Sequence, residues 1–131
     1  MAKLAYDLVS PERMLASGEA DAIQIPGAEG DLTAMPNHAP FLTPLRPGVV
    51  TVTDGGSETA YVVTGGFVEI TPEGASVLAE EAVTKEEATS DWFAAKIEAA
   101  ESVAESATGD AKIIASQTVN DFRFLQGRLG A

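Results

Sequence analysis

Cysteine is absent from the 131 residues, and histidine occurs once, at His38. The first absence excludes disulfides, thiolate zinc sites and a cysteine nucleophile, so stability must come from burial. The second excludes a two-histidine metal centre and the HExxH arrangement, and no stretch alternates acidic ligands with glycine as an EF-hand does. Positive charge is also scarce: 8 Lys and Arg stand against 20 Asp and Glu, a formal net charge of −12. Nucleic-acid binding needs clustered cations to displace counterions from phosphates, so this balance argues against it, and equally against anionic lipid. No apolar run approaches the roughly 18 residues of a membrane helix, so direct membrane insertion is not expected. Residues 1–14 include Asp7 and Glu12 and have neither the apolar centre of a secretory signal nor the acid-poor character of a transit peptide. The chain is therefore expected to stay in the compartment where it is made. Phosphate-cradling GxGxxG and GxxxxGK[ST] loops and the GxSxG elbow are missing as well, which leaves cofactors without a motif.

What the chain does have is turn chemistry. Residues 26–50 hold Pro26 and four of the other six prolines, Pro36, Pro40, Pro44 and Pro47. Each fixes its own φ and pushes the preceding residue toward extended geometry, so the segment reads as a shaped loop rather than a helix or a long strand. Around it lie short strands. Residues 4–9 place Leu4, Tyr6 and Leu8 on one face, and residues 22–25 follow a turn at Gly18 with Ile23 and Ile25 aligned. Residues 49–53 and 59–63 flank Asp54-Gly55-Gly56-Ser57, a hairpin signature because glycine supplies the positive φ of a tight connection. Residues 67–70 and 75–80 flank Thr71-Pro72-Glu73-Gly74, giving a second hairpin. Short strands at this spacing, with no helical period between them, predict a sandwich or flattened barrel.

At Thr84 the pattern changes. Thr84-Lys85-Glu86-Glu87 can form a capping box, which predicts a helix beginning there. Residues 88–107 contain neither glycine nor proline and are rich in Ala and Glu, good helix formers. Phe93, Ile97, Ala100 and Ala104 trace a narrow apolar stripe. Thr108-Gly109-Asp110 supplies a stop, a turn and a new N-cap. A second helix to about residue 127 then puts Ile114, Thr118, Phe122 and Leu125 on one side, with Val119 and Leu129 nearby. The fold class is thus α+β: a β-sandwich over 1–83 and an antiparallel two-helix hairpin over 84–131. Three basic and twelve acidic residues give the first part −9, and five basic and eight acidic give the second −3, which together make −12.

Catalytic apparatus is thin. A histidine ordinarily titrates near neutrality, so His38 could act as an acid or base, but a small barrel enzyme would need a second strong partner, and none stands out. Between Asn37 and Ala39-Pro40, His38 reads instead as a loop tie through hydrogen bonds. The glycine pairs at 55–56 and 65–66 lack a following helix to receive phosphate and read as turn and close-packing residues.

Five separated motifs appear in order: Ile25-Pro26-Gly27 with Glu29-Gly30; Pro36-Asn37-His38-Ala39-Pro40; Leu45 with Pro47-Gly48; Val63 with Gly65-Gly66-Phe67-Val68-Glu69; and Val77-Leu78-Ala79-Glu80. They resemble the epsilon subunit of F-type ATP synthase across essentially the whole first part. The resemblance implies a sandwich of about ten strands followed by two antiparallel helices. It also implies a non-catalytic rotor subunit that joins the gamma subunit to the c-ring and couples rotation to ATP synthesis. On that resemblance Glu29, Gly30 and Asp31 match the loop resting on the c-ring, and His38 lies in the subunit-facing motif. The implied place is peripheral, at the cytoplasmic face of a bacterial inner membrane or the stromal face of a thylakoid.

In the family the hairpin can extend toward the alpha and beta catalytic subunits and restrain hydrolysis, using basic side chains of the second helix. Only Lys112, Arg123 and Arg128 are available here for such inhibitory contacts, which implies at most weak restraint. Members that sense ATP carry an LDxxRA-like motif near the start of the first helix. This chain has Ala88-Thr89-Ser90-Asp91-Trp92-Phe93-Ala94, without the arginine, so no cofactor is carried over. A nucleotide-sensing module binding ATP between sheet and hairpin stands as the alternative.

Overall fold

The computed structural model describes residues 3–28, 30–36 and 39–129, which divide between two compact units, Met1–Lys85 and Glu86–Ala131. The first is all β. Its strands are β1 (Leu4–Ser10), β2 (Arg13–Ala20), β3 (Ala22–Gly27), β4 (Gly30–Ala34), β5 (Phe41–Leu45), β6 (Gly48–Asp54), β7 (Ser57–Val63), β8 (Gly66–Ile70), β9 (Gly74–Ala79) and β10 (Ala82–Thr84). They form one ten-stranded sheet in the order β10-β7-β6-β3-β5-β8-β9-β1-β2, with β4 paired to β3. Alternation drives the closure. Leu4 and Leu8, Ile23 and Ile25, Val50 and Val52, Val68 and Ile70, and Ala75 and Val77 point inward and pack as one buried cluster, with Tyr6 partly buried against it. The turn after β6 has Gly55 at φ 60° and Gly56 at φ 85°, and the Asp21 carboxylate accepts from the Gly55 N–H at 2.9 Å.

The first strand is joined to the sheet on both sides by quite different partners. It pairs antiparallel with its sequence neighbour β2, and parallel with β9, matching Ala5 to Gly74 and Val9 to Leu78. A bulge between Leu8 and Val9 interrupts the first of these ladders.

Ten strands and two helices agree with the expected class, but four local expectations are corrected, three of them in the β unit. Gly18 is no turn; it lies inside β2 opposite Tyr6, and the chain turns at Asp21 instead. Most of β2 is exposed, so it has little apolar periodicity to reveal it. The proline-rich segment is not purely loop, since β4 and β5 both fall within it; Pro44 sits in β5 and Pro26 in β3. Thr84 starts no helix. It ends β10, whose Ala82 and Val83 are buried as partners of Val63 and Val62, and residues 85–87 form a turn.

The helical unit consists of α1 (Ser90–Ser106) and α2 (Asp110–Leu129). Thr89 is the true N-cap of α1, its side-chain oxygen accepting from the Trp92 N–H at 3.3 Å. Gly109, at φ 63°, turns the chain between the helices as expected. The buried face of α1 is Phe93 and Ala100, with Ile97 and Ala104 half-buried beside them. That of α2 is Ala115, Val119, Phe122 and Leu125. Ile114, expected inside, is 62% exposed, because the buried stripe begins one position later, at Ala115.

Candidate functional site

Two of the expected site residues, Glu29 and His38, lie outside the described residues. The others of that loop are well placed. β3 and β4 form a hairpin in which Gly27 pairs with Gly30, and a Cβ on Gly27 would come within 2.7 Å of the Gly30 carbonyl oxygen. The base of this tip is tied to the end of β5, since Ala28 N–H donates to the Pro44 carbonyl (2.9 Å) and Arg46 N–H to that of Pro26 (3.1 Å). Asp31 is not a free acid: its carboxylate meets the Arg46 guanidinium at 3.2 Å, both side chains being exposed. Such a pair contributes roughly 0–1 kcal/mol and mostly orients the tip.

In the helical unit, Arg123 of α2 reaches across to Glu101 of α1 at 2.9 Å. The pair forms one wall of an open cleft of about 310 Å³ whose lining includes Glu105, Lys112 and Ser116. Arg128 is exposed near the end of α2. Lys112 and Arg123 thus line the same cleft, whose lining does not include Arg128. At the other end of the hairpin Trp92 stacks edge-on with Phe93 (5.0 Å) and Phe122 (6.4 Å).

Among the described residues no cluster of three or more His, Cys, Asp or Glu could hold a metal. Among the same residues no helix is long and apolar enough to cross a membrane. Burial raises the Tyr6 hydroxyl above its ordinary value, with Tyr61 and Asp54 adding to the effect.

The chemistry-bearing surface that sequence reasoning missed is apolar. On the outward side of the sheet, register aligns Pro44 of β5 with Phe67 of β8, Phe67 with Leu78 of β9, Leu78 with Val9 of β1, and Val9 with Met14 of β2. Five neighbouring strands thus present five apolar side chains in one transverse row, about 19 Å long at ~4.8 Å per strand. Phe67 and Leu78 are each 54% exposed and Met14 is 63% exposed. Two of the five positions were readable, because residues 67 and 78 lie symmetrically about the turn at 71–74. The rest depends on the β1–β9 pairing, for which no local pattern exists.

Comparison with known proteins follows the fold. The family described as ATP synthase, Delta/Epsilon chain, beta-sandwich domain matches residues 3–85. An ATP synthase epsilon chain from Fuscovulum blasticum is 45% identical over 129 residues, 98% of each chain. One from Caulobacter vibrioides is 55% identical over 83 residues, 63% of this chain and 96% of that one. Among solved structures, a chain of the Euglena gracilis mitochondrial ATP synthase, OSCP/F1/c-ring in rotational state 1, superposes with a TM-score of 0.76 at 24% identity. That superposition covers 98% of this chain and 82% of the other.

Proposed function

The chain belongs to the ATP synthase delta/epsilon family, and from that premise we propose that it works as a non-catalytic rotor subunit of the central stalk in an F-type ATP synthase. Its partners in this reading are the gamma subunit and the c-ring, and its task is to transmit torque between them during ATP synthesis. The observation that carries the reading is mechanical. A ten-stranded sheet with one continuous core, an exposed apolar row on its outer side and a braced β3–β4 tip is suited to being gripped at two places. The tip of residues 28–31 is assigned to the c-ring, with Glu29, Gly30 and Asp31 at the contact, and the segment of His38 to the subunit-facing side. The assembly sits against the cytoplasmic face of a bacterial coupling membrane.

The hairpin is read as a weak regulator of ATP hydrolysis. Reaching the alpha and beta subunits would require Arg123 to leave Glu101, and only Lys112 and Arg128 would then stand with it. The Caulobacter relative, almost exhausted by an 83-residue match, cannot hold both units in full, which supports a family role that does not need both. ATP hydrolysis by a catalytic core stripped of this subunit tests the reading, titrated with the full chain and with a form ending at Lys85. Both forms are expected to co-elute with the core and to inhibit little. Strong inhibition by the full chain alone would make the hairpin a brake, and failure of both to co-elute would remove the rotor role. Nucleotide sensing is separated by thermal melting with ATP and Mg²⁺, where no rise in midpoint is expected.

A further inference from the structure

Seven aspartates occur in the chain, and only Asp54 is followed by glycine; the other six precede leucine, alanine, tryptophan or phenylalanine. The distinction is chemical. An aspartate side chain can be attacked by the backbone nitrogen of the next residue, and a glycine there has no Cβ to obstruct the approach. Asp54 closes β6 and pairs with Ser57 across the tight turn into β7. Its side chain is 48% exposed, so water reaches it.

Two contacts hold the atoms that would react. The attacking nitrogen would be that of Gly55, and its N–H donates to the Asp21 carboxylate at 2.9 Å. The group attacked would be the Asp54 carboxylate, which accepts from the Lys3 ammonium. Lys3 also stands 3.9 Å from Asp21. Asp21 is anchored in turn: its own N–H donates to the Thr53 carbonyl at 2.8 Å, where Ala22 and Thr53 end the β3–β6 ladder. The approach to β1, the corner between β2 and β3, and the β6–β7 turn thus meet on one dipeptide. Hydrogen bonds with an ionised partner are stronger than neutral ones, which suits these contacts to a restraining role.

We propose that Asp54-Gly55 is a site of aspartate isomerisation in this chain, and that Asp21 and Lys3 keep it closed while the β unit is folded. Once the contacts open, the Gly55 nitrogen bonds to the Asp54 Cγ. One side-chain oxygen leaves as water, taking the amide proton and one proton from solvent, and a five-membered succinimide results. Water then adds to one of the two ring carbonyl carbons, and the C–N bond there breaks with return of a proton. Cleavage at Cγ restores aspartate. Cleavage at the main-chain carbon leaves a free main-chain carboxylate and a backbone that runs through Cβ and Cγ. One water is released and one consumed, so mass is unchanged and no oxidant or reductant enters. The product adds a methylene to the backbone beside a two-residue loop whose length sets the register of its arms. Loss of the Lys3 and Asp21 contacts therefore becomes a lasting change in the β6–β7 hairpin.

The test is incubation of the full chain at neutral pH. Isoaspartate is counted by enzymatic methyl transfer to the new main-chain carboxylate and located by mass spectrometry of peptides. The chain in denaturant is expected to accumulate it at residue 54 about tenfold or more faster than the folded parent, since opening exposes the nitrogen. Asp21→Ala should accelerate the folded chain about tenfold, through loss of a hydrogen bond to a charged acceptor. Lys3→Gln, which removes an exposed pair, should accelerate it about twofold to fivefold. Asp54→Glu, which would have to close a six-membered ring, should abolish the signal at this position. Glu58→Gln, on β7 opposite Thr53, should leave the rate at the parent value. Matched melting temperatures separate loss of the local contacts from general loosening. Should Asp21→Ala melt early, Lys3→Gln decides, because Lys3 precedes β1 and belongs to no ladder. Equal rates in folded parent and denatured chain, or a folded Lys3→Gln that tracks the parent, would show that the contacts do not guard the site. Faster isomerisation at another aspartate in denaturant would show that the site itself is wrong.

Discussion

Gly66 illustrates how one residue can be demanded by its surroundings. Its φ is +126°, and an added Cβ would lie 2.0 Å from the Leu78 carbonyl oxygen and 2.9 Å from the Ala79 Cα, both backbone positions that cannot swing aside. Gly66→Ala should cost roughly 2–3 kcal/mol or more, seen as a lower melting temperature, since strain and clash add. The close-packing role of the 65–66 pair was legible from sequence, but the identity of the obstructing strand was not. Tyr6 gives a second test. Burial favours its neutral form, so the folded pKa is raised, and the contribution to stability is complete below the unfolded value near 10 and is lost as pH climbs through the folded value. Stability of the parent should fall more steeply above about pH 10 than that of Tyr6→Phe, measured by denaturant melts. A parallel decline in both would remove Tyr6 from the account.

At the scale of elements, legibility followed locality. The β6–β7 and β8–β9 hairpins could be read because glycine or proline marks their turns and alternation marks their arms. The β2 strand could not, because its partners hide few of its side chains, and β4 and β5 were masked by prolines that tolerate extended geometry without announcing a strand. The helix start was misplaced because Thr84 and Thr89 both offer capping chemistry. The choice is made by burial of Ala82 and Val83 in a strand, which local sequence does not display. In α2, a stripe starting at Ile114 and one starting at Ala115 share Phe122 and Leu125, so periodicity alone left the register open by one position. Phe122 is the residue on which the hairpin seam depends most, being buried beside the single tryptophan. Phe122→Ala should destabilise the helical unit by about 3 kcal/mol. It should also shift Trp92 emission to longer wavelength; an unchanged spectrum would place Trp92 outside the seam.

For the molecule as a whole, the two units differ in what holds them. The β unit has a continuous core of large aliphatic side chains, whereas the helical unit buries Phe93, Val119, Phe122 and Leu125 alongside small alanines. Alanine removes little area, and at roughly 25 cal/mol per Å² the gain per residue is small. Amide exchange is expected to be faster across α1 and α2 than in β8 and β9, in the manner of separate cooperative units, and uniform protection would contradict this. Architecture at this scale was legible because the change from period two to period three or four is abrupt, while the site was not, because its row exists only once distant strands are adjacent. The parallel ladder between β1 and β9 also governs the order of events during synthesis. The first strand leaves the ribosome long before residues 74–78 exist to receive it, so it must wait, paired at best with β2, until nearly the whole β unit has emerged. Loop closure over that distance makes the joining of β1 to β9 a slow and late step. The helical hairpin is translated only after that, when the first strand has only just found its place.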